Sequence, residues 1–82
     1  MQNKKYRYPL ELVGLADVNK FVAIVTPLPG VIKLTDGDEY TVNARSLLGA
    51  LASMEWESLY CVSETDIYTK IKDFVRDESP LV

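Results

Sequence analysis

Ser46 is the residue best placed to do chemistry in this chain. It lies in Val42-Asn43-Ala44-Arg45-Ser46-Leu47-Leu48-Gly49, where an extended, alternating segment gives way to an apolar helical one. A hydroxyl at such a junction can cap the helix by accepting a backbone N–H, and it can also carry a phosphate. There is no histidine anywhere in the sequence, so the side chain most used for proton and phosphoryl transfer near neutral pH is missing and histidine chemistry is excluded. Other reactive types are less well placed. The single cysteine, Cys61, sits in the apolar run Leu59-Tyr60-Cys61-Val62, where a buried thiol is the usual state and no internal disulfide can form. Asp36, Asp38 and Glu39 crowd a turn but lack the ligand spacing and terminal bidentate glutamate of a calcium loop, so turn chemistry is expected there. Glu55 and Glu57 flank Trp56. A carboxylate pair does acid–base work only inside a cleft, which a chain of this size scarcely offers, and Trp56 is expected to act as a hydrophobic cover. Neither a metal nor a cofactor is expected.

The elements that must position these residues follow from periodicity. Tyr6, Tyr8, Leu10 and Leu12 alternate with Arg7, Pro9 and Glu11, which predicts a half-buried strand, and Pro9 puts it at a sheet edge. After Gly14 the period changes: Val18, Phe21, Val22 and Val25 form one helical stripe, closed by Pro27-Leu28-Pro29-Gly30. Val31 to Leu34 and Glu39 to Val42 flank Thr35-Asp36-Gly37-Asp38, a hairpin signal because Asp and Gly both tolerate positive φ. Beyond Ser46, the residues Leu47, Ala50, Leu51 and Met54 make a second helical stripe, widened by Leu48. Glu57 to Val62 supplies a fourth strand. Ser63, followed three residues later by Asp66, resembles a capping box before a third helix carrying Ile67, Ile71, Phe74 and Val75. Three one-sided helices are most simply buried on one face of a four-stranded antiparallel sheet, an α+β open-faced β-sandwich of order βαββαβα.

The totals bound the rest. At 82 residues and 48% hydrophobic, residues 1–82 make one domain, with 77–82 expected to be a tail because Pro80 cannot continue a helix. A net charge of −3 argues against nucleic acid as a partner, since backbone affinity comes from Lys and Arg; Lys4, Lys5 and Arg7 are the only basic cluster. No apolar run approaches the ~18 residues that span a bilayer, and Met1-Gln2-Asn3-Lys4-Lys5 has no apolar stretch behind it. Membrane insertion is not expected, and the chain reads as cytoplasmic.

From about Tyr6 to Val75 the chain resembles the family of HPr, the histidine-containing phosphocarrier of the bacterial sugar phosphotransferase system. The order of elements is the same, and Val42-Asn43-Ala44-Arg45-Ser46-Leu47-Leu48-Gly49 is similar to the family's regulatory serine motif, Val-Asn-Ala-Lys-Ser followed by two apolar residues and Gly. The family's Gly-Leu-His-Ala-Arg-Pro segment corresponds to Gly14-Leu15-Ala16-Asp17-Val18-Asn19 here. Ala16 stands in place of the phosphorylated histidine, Val18 in place of the arginine that pairs with the phosphate, and Asn19 in place of the proline that starts the helix. No phosphoramidate can form on an alanine. Asp17, at the helix start, can bond the free amides that would otherwise hold an incoming phosphate, or be an ordinary N-cap.

The resemblance therefore implies a degenerate, non-catalytic member that works through binding, as a regulatory or adaptor protein in carbohydrate uptake or metabolism. It implies that Ser46 is a phosphorylation site for a serine kinase, with Arg45 beside it supplying charge, and that Leu47, Leu48 and Leu51, joined by Val18, form a surface for protein partners. Those partners would be a phosphotransferase-system enzyme or, as in family members that lack the histidine but keep the serine, a transcriptional regulator. The guanidinium lost at Val18 weighs against the latter. Two other readings stay open: an unmodified decoy or scaffold docking on phosphotransferase enzymes, and the same fold reused for an unrelated binding role.

Overall fold

Side-chain alternation organises the sheet. In the computed structural model, which describes residues 5–76, the elements run β1 (Tyr6–Pro9), α1 (Gly14–Val25), β2 (Ile32–Thr35), β3 (Thr41–Asn43), α2 (Leu47–Ser53), β4 (Tyr60–Ser63) and α3 (Tyr68–Ile71), the last followed by a 3-10 turn at Lys72–Phe74. The expected tail, 77–82, lies outside the described residues. The strands form one antiparallel sheet in the order β1-β4-β2-β3. Its register places Tyr8, Cys61, Leu34 and Val42 in one row and Tyr6, Ser63 and Ile32 in the next; these side chains face the helices. Arg7, Val62, Lys33 and Asn43, and Pro9, Tyr60, Thr35 and Thr41, make up the rows of the opposite face. Every fully buried strand residue belongs to the first set. The fold is thus α+β, a four-stranded antiparallel open sheet with three helices.

The core is the meeting of that face with the helical stripes. Val18, Phe21 and Val25 of α1 are buried at i, i+3 and i+7, and Phe21 meets Phe74 edge-on with ring centroids 6.0 Å apart. Cys61 is buried among them, as expected, and burial pushes its thiol up to about 12. Pro9 does sit on an edge strand. Its carbonyl accepts from the Arg76 amide at 2.7 Å, and the Glu11 amide donates to the Phe74 carbonyl at 2.8 Å, so the residues after the 3-10 turn run along the outer side of β1. The first strand is shorter than its alternation predicts: beyond Pro9, Leu10 donates its amide to the Leu59 carbonyl at 2.8 Å and makes an isolated antiparallel bridge with Val75, and no regular ladder continues.

Two turn regions differ from expectation. The β2–β3 connection is not a tight Asp-Gly turn: only Gly37 has positive φ (+86°), and Asp36 contributes through its side chain. Its carboxylate accepts the amides of Asp38 (2.8 Å) and Tyr40 (3.0 Å), and the bonds from Tyr40 and Asp38 hold it below the usual carboxylate range. The third helix starts later than its capping pattern predicts. Ser63 is the last residue of β4 and accepts the Thr65 amide at 3.2 Å. Asp66 accepts the Tyr68 amide (3.0 Å) and the Tyr8 hydroxyl (2.9 Å), and that hydroxyl in turn accepts the Ile67 amide at 3.0 Å. This tie fixes the approach to α3, which makes a single turn before tightening into 3-10. Ile67, Ile71 and Phe74 are nonetheless all buried.

Candidate functional site

The shoulder formed by the β3–α2 junction is assembled by local bonds. Asn43, at the end of β3, accepts the Arg45 amide through its side chain at 2.8 Å and the Ser46 amide through its carbonyl at 3.0 Å. Ala44 is buried, and its amide donates to the Ile32 carbonyl at 3.0 Å, which anchors the turn to β2. Ser46 then caps α2: its hydroxyl oxygen accepts the Gly49 amide at 3.1 Å, and its carbonyl accepts the Ala50 amide at 2.8 Å. Gly49 is there because α2 lies close to β3; a Cβ at this position would be 3.1 Å from the Val42 Cβ.

Arg45 is directed elsewhere. Its guanidinium donates to the Thr26 carbonyl at 3.1 Å and to the Leu28 carbonyl, closing the C-terminal end of α1, where helix carbonyls lack intrahelical partners. In this conformation its donors face α1 and not the Ser46 hydroxyl, which bonds within α2.

The inward side of α2 is made of small residues. Ala50 and Ser53 are buried, and the Ser53 hydroxyl donates to the Ala50 carbonyl at 2.7 Å. Leu51 is half-buried against the core. Leu47 is 42% exposed and Leu48 80% exposed, so of the expected stripe Ala50 and Leu51 face the core while Leu47 and Met54 face solvent. At Gly49 the close approach of α2 to Val42 leaves no room for a large side chain. Arg45, Ser46, Leu47 and Leu48 thus share one shoulder, with Leu51 one turn on. Val18 does not join them: it is fully buried in α1 and cannot be part of an exposed contact surface. Its place in the Phe21 stripe was the signal that it belongs to the core.

Ala16 is exposed in the first turn of α1. Val13, not Asp17, holds the cap position of that helix, and the Asp17 carboxylate reaches back to accept the Val13 amide at 2.9 Å. One free amide at the helix start is therefore already satisfied from within the chain. Val13 and Leu15 are exposed apolar residues at the same end, which the sequence reading missed although both fall off the buried stripe. Trp56 is half-buried against the core, as a cover should be, and stacks on Tyr40 with centroids 5.8 Å apart and planes 18° from parallel. Among the described residues, no helix is long and apolar enough to cross a membrane. Comparison with protein-family models, with curated proteins and with solved structures finds no match to this chain.

Proposed function

We propose that this chain is a degenerate HPr-like protein that acts by binding and not by catalysis, as a cytoplasmic regulatory or adaptor element of carbohydrate uptake or metabolism, controlled through Ser46. One observation carries the reading: Ser46 caps a short helix whose next two residues, Leu47 and Leu48, stand out from the core. A phosphate at such a place adds about −1.5 to −2 charge beside an apolar contact surface while leaving the buried side of α2 untouched. Further support comes from the Val42–Gly49 motif, from the strand–helix–strand–strand–helix–strand–helix order, and from Ala16 at the place of the family's reactive histidine. The partner would be a phosphotransferase-system enzyme or a transcriptional regulator, and the modifying enzyme a serine kinase.

Incubation with ATP and the serine kinase of the phosphotransferase system tests this. Label is expected on Ser46 and is abolished by Ser46→Ala. The exposure of Leu48 also favours an unmodified docking decoy; tight binding of unlabelled protein to a phosphotransferase enzyme, lost in Leu48→Ala, would select that reading, and failure of both would discard the connection to this system.

A further inference from the structure

We propose that the corner where the β2–β3 connection meets the segment after α2 is a second binding site, independent of the Ser46 shoulder, that receives an arginine side chain from a basic segment of a protein partner. A cavity of about 390 Å³ lies there, lined chiefly by Asp36, Asp38, Tyr40, Glu55, Trp56 and Glu57. Its wall is the Tyr40–Trp56 stack, 18° from parallel, and Tyr40 remains 55% exposed although an aromatic ring gains most by burial. No cationic side chain lines the cavity. Four carboxylates line an aromatic face, and the neighbouring cation, Arg7, is engaged on the Tyr60 side of the loop; they complement a further cation that can both stack and donate to carboxylates.

The arrangement selects which cation. Asp36 already accepts the Asp38 and Tyr40 amides, and among the described residues no three such side chains converge to hold a metal ion, so an extended organic cation suits the site better than a compact one. A planar guanidinium stacks on aromatic faces and forks toward carboxylates, whereas an ammonium is a strongly hydrated point charge. The chain already uses this packing beside the same loop: the Arg7 guanidinium lies 4.2 Å from the centroid of the Tyr60 ring, against Gly37. The Tyr40–Trp56 face repeats that platform without its arginine.

Trp56 is the only tryptophan, so its fluorescence reports directly on the site. The full chain is titrated with a blocked peptide of alternating glycine and arginine, and with the same peptide carrying lysine or citrulline instead. The arginine peptide should give a saturable change in Trp56 emission that weakens with added salt. Its affinity should fall roughly tenfold or more in Glu55→Gln/Glu57→Gln and in Tyr40→Ala, and stay the same in Leu48→Ala. The lysine peptide should bind several-fold more weakly, and the citrulline peptide not at all. No saturable change, equal binding of citrulline or lysine peptide, or full affinity in the glutamine variant overturns the proposal. The glutamine changes are isosteric and at exposed positions, so loss of binding with an unchanged circular dichroism spectrum is not a folding defect. Failure here leaves the Ser46 labelling result unaffected, because the two sites share no residue.

Discussion

At the residue scale, Ser46 holds its helix start through one bond to the Gly49 amide, so Ser46→Ala should lower stability by about 1 kcal/mol while Ser46→Asp should largely restore it, read as urea midpoints. Arg45 bears more. Its guanidinium satisfies the Thr26 and Leu28 carbonyls together, so Arg45→Met should cost about 1.5–3 kcal/mol, the scale of bonds from a charged donor; Arg45→Lys should recover only part of this, since an ammonium lacks the fork. Tyr8 and Cys61 set the alkaline limit. Burial raises Tyr8 from 10.0 to about 12 and Cys61 from 9.0 to about 12. Between those values the unfolded chain has lost protons that the native chain still binds, so stability is fully present below about pH 9 and declines as pH rises toward 12. Urea midpoints followed through that range should fall, and fall less steeply in Cys61→Ala, whatever that variant costs at neutral pH. The capping role of Ser46 was legible because a cap acts on amides a few residues ahead. The target of Arg45 was not, because Thr26 and Leu28 lie 19 and 17 positions back, and no local pattern announces a bond at that separation.

At the scale of elements, two glycines decide how closely segments approach. Gly37 sits at φ +86°, and a Cβ there would be 2.9 Å from the Arg7 Nη2 and 3.1 Å from the Tyr60 ring, so Gly37→Ala should destabilise by about 1–3 kcal/mol. Gly49→Ala sets two effects against each other: alanine favours helix by about 1 kcal/mol, but crowding against Val42 costs about 1–3. Crowding should prevail, and Val42→Ala introduced together with it should recover the loss, a coupling that a double-mutant cycle in urea measures directly. The same crowding bears on why periodicity was only partly right for α2. Of the nominated Leu47, Ala50, Leu51 and Met54, the fold buries Ala50 and packs Leu51 against the core, whereas Leu47 and Met54 face solvent and the small Ser53 is buried in their stead. For α1 the stripe was reliable, since Val18, Phe21 and Val25 face a deep core. The start of α3 was misplaced because Tyr8, more than fifty positions away, fixes the backbone before Tyr68.

At the scale of the molecule, the α+β class and the sequence of elements were legible because each amphipathic segment has a single apolar side and each strand alternates. The shoulder at α2 was legible only in part: Ser46 caps the helix where the pattern put it and Leu48, set beside the stripe, is exposed, whereas Val18 belongs to the interior. The outward leucine makes a clean test. Leu48→Ala should leave the unfolding midpoint unchanged within about 0.5 kcal/mol, so any partner it loses is lost at the surface. The strand order has a further consequence, in time. β4 is last in the chain among the described strands yet lies between β1 and β2 in the sheet, so no nascent chain that stops before Tyr60 contains the element that joins its two halves. Fragments ending before Tyr60 therefore hold two incomplete pieces of sheet, and cooperative native structure is expected only once β4 is present, which circular dichroism of such truncated chains checks.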